Sequence, residues 1–150
     1  MDVVGSVGAV VGLVFNFAKA IKTCSDIKGR YDGIDETIGS VKDELETLQG
    51  ALKQLMDLMV NDAAALSSRW DVDKHLPQTF AGAMSGFKRT IAVLLRDLDG
   101  LHSAVRDGGK EVGRGKKAGF LWNENNMNGH CVQLRSQAGA LHLLLGVLQT

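Results

Sequence analysis

IDETIGSVKDELETLQGALKQLMDLM, residues 34–59, places Ile34, Ile38, Val41, Leu45, Leu48, Leu52, Leu55 and Met59 at alternating steps of four and three. That spacing puts eight apolar side chains on one face of an α-helix and leaves the charged residues between them for solvent. The seam recurs through Phe80, Met84, Phe87, Ile91, Leu94, Leu98, Leu101 and Val105, and again through Met127, Cys131, Leu134, Ala138, Leu141, Leu145 and Leu148. A fourth begins the chain with Val3, Val7, Val10, Val14, Phe17, Ile21 and Cys24. Four seams of about 25 residues, each roughly 35–40 Å long as a helix, predict an all-α fold with no place for a parallel sheet. The expectation is one domain over residues 1–150, an up-and-down bundle of about four long helices.

The breaks between seams have the chemistry of helix ends. Lys28 to Gly33 supplies glycines and basic residues after the first helix, and Asp32 lies near the start of the second. This turn is short, so the first two helices are expected to be antiparallel neighbours. Asn61 to His75 reads as a longer connection, with Pro77 in the first turn of the next helix, where its missing amide donor costs little. Gly108, Gly109, Gly113, Gly115 and Gly119 make the third connection flexible.

Seventeen basic residues balance seventeen acidic ones, so no global field attracts nucleic acid and none is expected as a partner. Two cysteines without paired spacing form no disulfide framework and fit a reducing, cytoplasmic setting. The glycine-rich stretch from Gly108 to Gly119 follows no strand and lacks the Lys-Ser/Thr pair of a phosphate loop. His75, His102, His130 and His142 have no metal-ligand spacing with each other or with Cys24 and Cys131. Asp43, Glu44 and Glu46 lie on the outer side of a seam, where a solvated face explains them. No catalytic residue, metal ligand or cofactor is expected, and the chain reads as a non-enzyme.

The first helix is the anomaly. From Val3 to Ala18 only Ser6 and Asn16 are polar, and Val4, Ala9, Val11, Leu13, Phe15 and Ala18 lie off the seam. Asp2 replaces the basic start of a secretory signal, and the sixteen residues fall short of the roughly 20 that span a bilayer. A helix apolar all round is hidden by neighbouring helices or by lipid. One reading makes it a permanently buried central element of a protein-binding bundle. The other makes its burial conditional, with Gly8 and Gly12 forming a small-xxx-small pair suited to close packing in a membrane.

A second local feature is cationic. Arg106, Lys110, Arg114, Lys116 and Lys117 stand against Asp107 and Glu111, a net +3. In an up-and-down bundle this loop lies at the same end as Lys19 and Lys22, so that end would attract anionic headgroups.

The opening Met1-Asp2-Val3-Val4-Gly5-Ser6-Val7-Gly8-Ala9-Val10-Val11-Gly12-Leu13, followed by Phe120-Leu121-Trp122-Asn123-Glu124 and by Leu134-Arg135, resembles the amino-terminal HeLo-like domain of fungal NOD-like (STAND) receptors. The likeness runs over nearly the whole chain. It lacks the proline that many members carry just after the initial Met-Asp. The resemblance implies a helical bundle that executes or transmits a cell-death signal, related in logic to HeLo and other four-helix executioner domains. It further implies self-association driven by a carboxy-terminal receptor or amyloid-motif region, for which residues 1–150 contain no candidate. Such a domain would be cytoplasmic at rest and reach the plasma membrane on activation. The residues expected to enter the membrane are Val3, Val4, Val7, Gly8, Val10, Val11, Gly12, Leu13, Val14, Phe15 and Phe17. Those expected to meet anionic headgroups are Lys19, Lys22, Lys110, Arg114, Lys116 and Lys117.

Overall fold

The computed structural model describes residues 3–27, 35–73, 75–108 and 124–149. Among them every regular element is helical: α1 (Val3–Ile27), α2 (Asp35–Asn61), α3 (Ala63–Val72), α4 (His75–Gly108) and α5 (Glu124–Gln149). The four long helices are those the seams predict. The turn at 28–34, the stretch 109–123 and the Phe120-Leu121-Trp122 motif lie outside the described residues.

Three of the seams are the core as read. Ile38 to Met59 on α2, Phe80 to Leu101 on α4 and Met127 to Leu148 on α5 are buried at each described seam position. On α1 the reading is corrected. The buried line runs through Ser6, Val10, Leu13, Phe17, Ala20, Cys24 and Ile27, whereas Val7, Val14 and Ile21 are half-buried. Valine, leucine and alanine on both flanks left the apolar period too little contrast to fix its phase.

The expected long connection from Asn61 to His75 is also corrected, since it contains α3. Asp62 accepts from the Leu66 amide at 3.0 Å and donates its own amide to Leu58 at 2.9 Å, so the chain turns with little loss of backbone bonding. Leu66 and Trp70, four residues apart, face inward, and Trp70 meets Phe80 edge-on with ring centroids 5.4 Å apart. Arg69 donates to the Val147 carbonyl, which ties α3 to the end of α5. The next helix starts at His75, whose amide donates to Asp73 Oδ1 at 3.0 Å, with Pro77 in its first turn.

Around the core, α1 packs on α2 and α4, and α5 packs on the same two helices from the opposite corner. Thus α1 and α5 form one diagonal, α2 and α4 the other, and α3 lies against α1, α2 and α4. Directions follow from the pairings. Asp97 meets His130 and Thr90 meets Gln137, so α4 and α5 are antiparallel. Gln49 bonds the Val14 carbonyl while Cys24 feels the charge of Lys42, so α1 and α2 are antiparallel too. Glu44 pairs with Arg135, and Leu58 shares a cleft with Leu148, which makes α2 and α5 parallel. It follows that α1 and α4 point the same way.

Candidate functional site

Helix α1 is a corner helix, not an enclosed one. Over Ser6–Ile27 only 28% of its most apolar window is buried, which removes the reading of a helix hidden on every side. The same 22 residues are long and apolar enough, by length and composition, to cross a membrane. This corrects the shorter estimate from sequence, which stopped at the first lysine. The helix continues apolar through Ala20 and Ile21, with Lys19 and Lys22 as its only charges before Asp26.

The residues expected to enter a membrane divide by face. Val10, Leu13 and Phe17 are core side chains. Val7, Val11 and Val14 are half-buried on the flanks. Gly8, Gly12 and Phe15 are exposed, Phe15 at 72%. Val3 and Val4 belong to α1, but their side chains lie outside the described residues. Of the cations expected to meet headgroups, Lys19 and Lys22 are exposed, while Lys110, Arg114, Lys116 and Lys117 fall outside the described residues.

A β-carbon built on Gly8 or Gly12 would meet nothing within 4 Å. The small-xxx-small pair is therefore not spent on packing inside the domain; it opens outward. There it forms one wall of a groove of about 370 Å³ against α4, with Gly8 and Phe80 at one end, Gly12 and Met84 in the middle, and Asn16 and Lys88 at the other. The α4 wall is absent from the sequence-based site. The available signal is a lack of acids: from His75 to Arg96 the only charged residues are Lys88, Arg89 and Arg96.

Polar contacts between helices lie elsewhere. His130 Nε2 and Asp97 Oδ2 are 2.9 Å apart, Arg135 Nε donates to Glu44 Oε1, and Gln137 Nε2 donates to Thr90 Oγ1 at 2.8 Å. The opposite amide atom, Gln137 Oε1, is buried without a partner. Burial pushes the Cys24 thiol up to about 12, against a smaller opposing pull from Lys42. Burial likewise raises Cys131, opposed by Arg135. Both thiols are therefore held protonated and unreactive. Among the described residues no three His, Cys, Asp or Glu side chains gather as a metal site.

Comparison with protein families, with curated proteins and with solved structures returns no match. The likeness to HeLo-like domains rests on the quoted residues alone.

Proposed function

We propose that this chain is a membrane-targeting, cell-death-executing or signalling domain of the HeLo-like kind, the amino-terminal part of a fungal immune-type receptor, with no catalytic role. Its long helices form an up-and-down bundle, a path supported by the alternating directions of α1, α2, α4 and α5. The observation that carries the reading is the outward face of α1, where Gly8, Ala9, Gly12, Phe15 and Ala18 are exposed although the bundle is already closed. An apolar face with no partner in its own domain is what a lipid surface covers.

The cationic residues Lys19 and Lys22 follow that face by one to two turns and favour anionic headgroups by about 1 kcal/mol each. One such helix anchors weakly. Clustering by a carboxy-terminal receptor or amyloid-motif region raises the local concentration so that several helices engage together. The domain rests in the cytoplasm and meets the plasma membrane once clustered.

Dye release from liposomes tests this. The 150-residue protein should release dye from phosphatidylserine-containing vesicles, more than proportionally as its concentration rises, and spare vesicles of phosphatidylcholine alone. Equal release from both compositions, or none from either at any concentration, contradicts the proposal. Deleting residues 1–20 is a poor test, because it removes Val10, Leu13 and Phe17 from the core.

A further inference from the structure

The groove between α1 and α4 is open in the folded domain, and both its length and its charge suit a particular ligand. Because the two helices run the same way, five residues of each, between Gly8 and Asn16 and between Phe80 and Lys88, line it over about 12 Å of rise. Its floor is apolar, formed by Leu13, Phe80 and Met84, and at Gly8 and Gly12 the wall is bare backbone. A volume of about 370 Å³ is within the range of small-ligand sites.

The charge is one-sided. Residues 3–25 of α1 and 75–96 of α4 contain five cations, Lys19, Lys22, Lys88, Arg89 and Arg96, and no acid. Lys88 lines the groove at its Asn16 end and makes no ion pair with any described residue. Lys19 lies three residues beyond Asn16, less than one turn further along α1, and is exposed. An apolar trough ending in two unneutralised cations is complementary to one alkyl chain with an anionic head.

We infer that this groove binds a single-chain anionic lipid of the lysophosphatidic acid class, with its acyl chain along Gly8 and Gly12 and its phosphate at Lys88 and Lys19. A phosphomonoester suits two lysines better than a carboxylate does, since it brings up to two charges and three acceptor oxygens. Binding takes place on the intact bundle from lipid dissolved in water. It goes beyond the membrane reading and stands or falls separately from dye release.

Isothermal titration calorimetry on the whole protein, with decanoyl lysophosphatidic acid below its micelle concentration, tests the assignment. One-to-one binding is expected, with each added methylene tightening it about fourfold until the groove is full. The phosphatidylcholine analogue of the same chain should bind more weakly, and Lys88→Gln should weaken the anionic lipid about fivefold. Gly12→Leu should abolish binding while keeping the fold, because its β-carbon meets no atom within 4 Å and leucine favours helix over glycine. Equal affinity for the two headgroups, or unchanged affinity in Lys88→Gln, overturns the assignment even if Gly12→Leu folds poorly. Sedimentation equilibrium without lipid supplies the other arm. Self-association of the parent that Gly12→Leu eliminates would give the groove to a second copy of the chain, which also overturns it.

Discussion

Helices α1 and α2 pack against each other, and each presents a continuous apolar line to the core, yet their outer faces differ in kind. On α2 the exposed positions include Glu36, Asp43, Glu46, Lys53, Gln54 and Asp57, so water covers that face. On α1 they include Gly8, Ala9, Gly12, Phe15 and Ala18, which water covers poorly. The inner lines are interchangeable in purpose: both hold the bundle together. The outer faces are not, and the difference separates what folding requires of a helix from what it leaves for another use.

The largest effect should come from breaking the inner lines. Val10→Lys places an unpaired charge where no solvent reaches and should cost several kcal/mol. Leu45→Ala on α2 should cost about 2–5 kcal/mol. Denaturant melts of both variants check that the two helices are equivalent on this side. If Val10→Lys melts like the parent, α1 does not belong to the core.

Smaller, and specific to the α1 side of the core, is a pH effect at Cys24. Its thiol titrates near 9 when unfolded and near 12 when folded, so between those values the unfolded chain loses the proton first. Stability is fully present below pH 9 and declines as pH rises toward 12. Melts across this window should show a steeper fall for the parent than for Cys24→Ala, with the two slopes equal below pH 9. Equal slopes throughout would mean that Cys24 is not shielded from water.

Smaller still are the glycines. Gly12 on α1 and Gly50 on α2 both sit mid-helix with open space around a would-be β-carbon. Replacing either with alanine should stabilise the fold by up to about 1 kcal/mol. Thermal melts that rise for Gly50→Ala but fall for Gly12→Ala would break the parallel and reveal a close approach at Gly12.

The contrast also decides how much could be read in advance. On α2, α4 and α5 polar residues interrupt the seam, so its phase is fixed by the sequence and each described seam residue is buried. On α1 the helix itself is evident, but the phase is not: Leu13 and Ala20 took the core positions beside Val10 and Phe17, while Val14 and Ile21 stayed half-exposed. Helix α3 escaped notice because two anchors, Leu66 and Trp70, are too few to establish a period among Ala63, Ala64, Ala65, Ser67 and Ser68. Half of the groove escaped for a different reason. Met84 and Lys88 look ordinary on their own helix and gain meaning only from the parallel placement of α4 beside α1.

The outer face of α1 is tested most directly at Phe15, the most exposed aromatic on that helix. Phe15→Lys leaves the core untouched, so its melting temperature should match the parent, a surface change being worth within about 0.5 kcal/mol. A charge carried into hydrocarbon costs about 2.5–3.5 kcal/mol on insertion scales. The decisive measurement is dye release from phosphatidylserine-containing liposomes by Phe15→Lys beside Gln54→Lys, its counterpart on the polar face of α2. Both variants should fold, and only Gln54→Lys should release dye like the parent. A folded Phe15→Lys that releases dye just as well would contradict the membrane role of α1.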